Sequence, residues 1–206
     1  MLSTLAALLP IVNPLGSAPI FLSRTAALPG PARRKLAIVV GRHAFLLLTA
    51  AMLIGTYVLR IFGVSLPIVR VAGGLLVTAN GWRLLNSDQR DASSSPKVVD
   101  AWEREVARLA FYPLTFPLTV GPGAISVAIT LGAKAQSRGA NTVTELLADL
   151  IGVVIVSLTV FLSYRFASRL IAYLGATGTA VFLRLSSFIL LCIGVAIIWT
   201  GLVDLL

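Results

Sequence analysis

Apolar residues along this chain gather in six long runs, separated by shorter stretches where charged and turn-forming residues concentrate. The runs cover about Leu2–Leu22, Leu36–Leu59, Leu66–Leu85, Leu109–Leu131, Val143–Phe166 and Leu185–Leu206. Each approaches or reaches the roughly 20 residues a helix needs to cross a bilayer. The pattern predicts an all-α polytopic membrane protein with six transmembrane segments. The first ten residues, MLSTLAALLP, lack the basic start and small-residue cleavage site of a signal peptide, so they read as part of the first segment.

Between the third and fourth runs lies NSDQRDASSSPKVVDAWEREVAR, which holds five of the eight acidic residues. Its serine-rich start reads as a linker, and VVDAWEREVARLAF is expected to form a short interfacial helix. Thirteen of the 17 basic residues fall in or beside alternate connections: one to two, three to four, and five to six. Only Arg60, Arg70, Lys134 and Arg138 lie on the other side. Basic loops stay in the cytoplasm, so both termini are expected outside the cell (inner) membrane.

The two halves resemble each other. PIVNPLG in the first run matches PLTVGPG, Pro117 to Gly123, in the fourth, and a loose alignment pairs Arg70 with Arg184. Three crossings per half would invert one half relative to the other, the plan of many secondary transporters. The expected fold is thus one domain over 1–206, with repeat one at about 1–86, a cytoplasmic linker at about 87–108 and repeat two at about 109–206. Segments one and four are expected to be broken.

Composition narrows the function classes. The chain is 57% hydrophobic and 12% charged, against about 45–50% and 25% in ordinary globular domains. Its net charge of +9 sits between apolar runs, where it meets anionic headgroups, so nucleic acid is not the expected partner. Lone Cys192, in Leu-Leu-Cys-Ile-Gly, reads as a small core residue. No paired carboxylates lie within the runs, and no His-Cys or carboxylate cluster has metal-binding spacing. Neither an enzyme nor a metal or cofactor site is expected.

The helix breakers carry the chemistry. A helix cannot run smoothly through Asn13-Pro14-Leu15-Gly16 or Gly121-Pro122-Gly123, because proline lacks a backbone donor and crowds the preceding turn. In lipid, such irregular backbone survives only where protein buries it or it lines a polar cavity. Half-helices expected to start near Ser17-Ala18-Pro19 and Ala124-Ile125-Ser126 would offer N–H groups to a carboxylate, and the preceding carbonyls would suit an ammonium. Asn13, Ser17, Thr119 and Ser126 add neutral hydrogen-bonding groups, and Gly16, Gly121 and Gly123 let backbone approach a small ligand. A site for a small zwitterion follows, built from Asn13, Pro14, Gly16, Ser17, Thr119, Gly121, Pro122, Gly123 and Ser126.

Other polar residues read more plainly. Gly73-Gly74 suits close helix packing, and Asn80 an interhelical hydrogen bond. Arg70 snorkels to the outer interface or forms a gate with Asp149 or Glu145. His43 is a headgroup-level residue or a proton relay, and Asp149 is the acidic candidate for coupling to H+.

At NPLGSAPIFLSRT, PLTVGPGAIS and VRVAGGLL the sequence resembles the MarC family of bacterial and archaeal integral membrane proteins, along essentially its whole length. That family was named for an association with antibiotic resistance. The resemblance implies a proton-coupled transporter of small neutral amino acids such as glycine and alanine, with Asn13, Pro14, Gly16, Gly121, Pro122 and Gly123 shaping its site. The chain departs from that pattern in its short lead before Pro10 and its lack of a clear intramembrane acid. Alternating access by a secondary transporter is the leading expectation. The alternatives are a carrier or flippase for an anionic lipid or phosphorylated headgroup, using Arg70, Arg42 and helix N-termini, and a non-transporting component whose linker docks a cytoplasmic partner. A homo-oligomer is compatible with each.

Overall fold

The structure is a computed structural model and describes residues 1–86, 108–137 and 142–206. All its regular elements are helical: α1 (Leu2–Val12), α2 (Pro14–Arg24), α3 (Gly30–Ile61), α4 (Leu66–Asn86), α5 (Ala110–Thr119), α6 (Pro122–Ser137), α7 (Thr142–Arg165) and α8 (Ala167–Val203). Most of the expected interfacial helix, and the Ser-rich linker before it, fall outside the described residues.

Both expected breaks are present. Asn13 adopts a left-handed conformation (φ 43°, ψ 60°), ending α1 and capping α2 with the same residue. α5 is loosely wound and interrupted by extended backbone at Tyr112 and Phe116, and it meets α6 at a 70° bend. Pro113 and Pro117 follow cis peptide bonds.

The six-span plan of two three-helix repeats is not what the chain forms. Among the described residues, four helices are long and apolar enough to cross a bilayer: Leu2–Arg24, Gly30–Ile61, Val143–Arg165 and Thr177–Val203. The bent pair α5–α6 makes a fifth if counted as one span. The expected third span, α4, is long enough but not apolar enough, because Arg70, Arg83, Asn80 and its glycines dilute the aliphatic residues. The inverted relation between halves required three crossings in each, and it falls with the missing span. Boundaries shift too. α3 begins at Gly30, since Arg33, Arg34 and Lys35 form good helical turns; α8 begins at Ala167 and breaks at Gly175 (φ 67°).

Small residues set the packing. α4 and α8 lie together along their length, and a Cβ on Gly74 would sit 2.8 Å from Ile198 Cγ1, one on Gly81 2.7 Å from the Leu191 amide. Glycines here let polar α4 press its backbone against a neighbour, as membrane helices do. α3 carries a fully buried stripe, Leu36, Val40, Ala44, Leu48 and Met52, at the i, i+4 spacing of one helix face. It packs on α5, α6 and α7, and a Cβ on Gly132 would overlap the Met52 carbonyl oxygen. Large apolar side chains such as Ile54, Leu147, Leu158, Phe188 and Trp199 are exposed, as lipid-facing positions are. Cys192 is also exposed, on α8, which corrects its reading as a core residue: glycines and Leu190, not Cys192, occupy the packed face.

Candidate functional site

The two breaks face one another across a cavity of about 330 Å³. Of the sequence-predicted residues, Asn13, Gly16, Ser17, Thr119, Gly121 and Gly123 line it. Pro14 is buried at the first position of α2 and Pro122 opens α6; neither lines the cavity, nor does Ser126, whose hydroxyl donates to the Val69 carbonyl at 2.7 Å beside Gly73.

The breaks differ in kind. The helices restart earlier than the sequence suggests, at Pro14 and Pro122, because proline at the first helical position gives up a donor that would be orphaned anyway. At α2 the new N-terminus is closed on itself. Asn13 Oδ1 accepts from the Gly16 amide at 3.1 Å, the Ser17 amide donates to the Asn13 carbonyl at 3.0 Å, and Gly16 leaves room for the cap, since a Cβ there would lie 2.7 Å from Asn13 Cγ. At α6 the first helical bond is Ile125 N–H to Gly121 O at 3.1 Å, so the Gly123 and Ala124 amides precede it. Both residues line the cavity, as do Ile11 and Val12 from the last turn of α1, whose carbonyls have no following helical donor.

A side chain far off in sequence ties the breaks together. Tyr164 of α7 is buried, donates to Ser17 Oγ at 3.0 Å and lies 2.7 Å from Thr119 Oγ1. Its ring stacks on Phe21 at 4.3 Å between centroids and 13° between planes. Thr119 and Thr115 reach carbonyls five residues back, Leu114 O at 2.6 Å and Ala110 O at 2.5 Å, which fits the wide winding of α5. Sequence reasoning missed Tyr164, since only the fold brings α7 to both breaks. It also left Arg24, Arg83 and Asn80 outside the site, although all three line the cavity, with Asn80 Nδ2 3.8 Å from a Cβ built on Gly121.

The residues expected to couple or gate stand apart. Arg70 pairs with Asp204 near the end of α8, not with Asp149 or Glu145. Asp149 is buried about two turns into α7, where it accepts from Thr4 Oγ1 and lies 3.5 Å from the N-terminal amine. His43 is half-buried, edge-on to the Phe111 ring at 5.8 Å, with Nδ1 buried and without a hydrogen-bond partner. None of the three lines the cavity. Among the described residues no three His, Cys, Asp or Glu gather as a metal site.

Comparison with known proteins then places the chain. The model of the "MarC family integral membrane protein" group matches residues 1–206. The chain belongs to the MarC family. It is 31% identical over 208 residues to the inner membrane protein MarC of Escherichia coli O157:H7, covering 98% of this chain and 93% of that protein. It is 30% identical, with the same coverage, to the MarC proteins of Escherichia coli O1:K1 and of strain K12 / DH10B. No solved structure matches. The MarC chain is therefore a polytopic integral membrane protein, with its discontinuous helices gathered around one cavity.

Proposed function

We propose that this MarC protein is a secondary transporter of small neutral amino acids, glycine and alanine among them, working by alternating access. The observation that carries the reading is the facing pair of breaks. Amides of Gly123 and Ala124 suit a carboxylate, terminal carbonyls of α1 suit an ammonium, and the residues that carry them line one cavity. Asn80, Ser17 and Thr119 supply neutral groups that orient a ligand without fixing its charge. The basic residues at the α2–α3 and α7–α8 junctions support placing those ends in the cytoplasm of an inner membrane, with both termini outside. A proton is the coupling ion we favour on family resemblance; Asp149, away from the cavity and held by Thr4, is the acidic group available for it.

A second reading rests on Arg24 and Arg83. Both line the cavity, and no carboxylate does among the described residues, which favours an anion such as a phosphorylated headgroup. Calorimetry on purified protein separates the two. Saturable glycine or alanine binding, lost in Asn80→Leu and followed by gradient-driven uptake in liposomes, supports the first. Binding of phosphoethanolamine alone, lost in Arg24→Gln, replaces it with the second.

A further inference from the structure

Away from the cavity, the first half of α3 and the second half of α7 converge on two adjoining hollows. One, of about 490 Å³, is lined by Gly30, Pro31, Arg34, Lys35, Ile38 and Arg165. The other, of about 380 Å³, starts at the same Ile38 and runs deeper along the helices between Phe45, Val154, Leu158 and Phe161, with Arg42 at its rim. The shared residue makes them one groove, basic at the bundle end and apolar toward the membrane interior. No carboxylate lines either part among the described residues.

The groove is a constructed notch rather than two helices splayed apart. Gly41 brings α3 close to α7: a Cβ there would lie 3.1 Å from Phe161 Cβ and 3.4 Å from the Ser157 carbonyl. Ser157 lines the groove at 6% exposure, yet its Oγ is buried with no hydrogen-bond partner. A serine in a membrane helix ordinarily bonds a carbonyl one turn back, and an orphaned hydroxyl is costly in a low-dielectric setting. Neighbouring Thr159 does make that bond, to Ile155 O at 2.8 Å. The Ser157 hydroxyl is itself covered, so the slot presents an almost wholly apolar floor.

We propose that this groove holds one anionic glycerophospholipid drawn from the leaflet at the basic end of the bundle. Its phosphate sits between Arg34 and Arg165, and one acyl chain lies along Phe45, Leu158 and Phe161. A basic end running directly into an apolar slot describes a glycerolipid and not a free anion. Basic pockets between membrane helices at the cytoplasmic side select anionic headgroups by the same electrostatics. Plain snorkelling of arginines accounts for a cationic helix end, but not for the apolar slot that continues beneath it.

Native mass spectrometry of the full chain in detergent tests this, with phosphatidylglycerol and phosphatidylcholine of identical acyl chains as probes. One phosphatidylglycerol per chain should survive activation energies that strip phosphatidylcholine. The double variant Arg34→Gln, Arg165→Gln should lower that retention at least tenfold with its thermal midpoint unchanged, because both side chains are exposed. Equal retention of the two lipids, or full retention by the double variant, overturns the proposal. Complete displacement by inorganic phosphate overturns it in favour of a free-anion site. A carbodiimide cross-link from Lys35 to an acid of the 87–107 linker, with no lipid retained, overturns it in favour of that segment.

Discussion

Tyr164 offers a sharp test of how the two breaks are held. Replacing it with phenylalanine keeps the ring stacked on Phe21 at 4.3 Å and removes only the hydroxyl that touches Ser17 and Thr119. Two polar contacts are lost, each worth about 0.5–1.5 kcal/mol in water-soluble proteins and averaging about 0.6 between membrane helices. The loss should sit at the low end of that range, because neither partner is stranded. Ser17 Oγ still donates to Asn13 O at 3.0 Å or Pro14 O at 3.2 Å, and Thr119 Oγ1 to Leu114 O at 2.6 Å. Tyr164→Phe should therefore cost about 1 kcal/mol, a fall of about 2–4 °C in Tm for a chain of this length. Tyr164→Ala removes the ring as well and leaves a cavity in the core, at about 3–5 kcal/mol, so its Tm should fall by more than about 6 °C. Thermal unfolding of the two variants in the same detergent provides the comparison. If Tyr164→Phe fell as far as Tyr164→Ala, the argument that backbone carbonyls take over its partners would be refuted. No change in either variant would refute the bridging role altogether.

Two further outcomes follow from packing and charge. Gly132→Ala should destabilise the protein by about 3 kcal/mol or more, read as lost expression or a Tm drop beyond about 6 °C, since the new methyl meets the rigid Met52 carbonyl. The Arg70–Asp204 pair is part-exposed, at 24% and 44%, so a double-mutant cycle should return a coupling below about 1 kcal/mol, and neither single variant should alter ligand binding.

Much of the site was legible in the sequence because it is made of backbone. Proline and glycine act on the chain where they stand, so Asn13-Pro14 and Gly121-Pro122-Gly123 announce breaks without any knowledge of neighbours. The kind of break was less legible. That Asn13 would cap Gly16 and close the α2 terminus depends on one side-chain rotamer and a left-handed residue, whereas the first amides of α6, which precede its first helical bond, belong to residues that line the cavity. Arg24 and Arg83 stand at helix ends where a membrane arginine ordinarily marks topology, and nothing local showed that both would turn toward one cavity.

Hydropathy and breakers by themselves determined that the chain is an all-α membrane protein with discontinuous helices, because transfer free energy and proline sterics are properties of short stretches. The span count, the Arg70–Asp204 pairing, the placement of Ser126 against α4 and the role of Tyr164 were decided only in three dimensions. Each depends on which helix covers which. α4 carries too many polar groups for a lipid-facing span, and its glycines let α8 pack against it closely along most of its length.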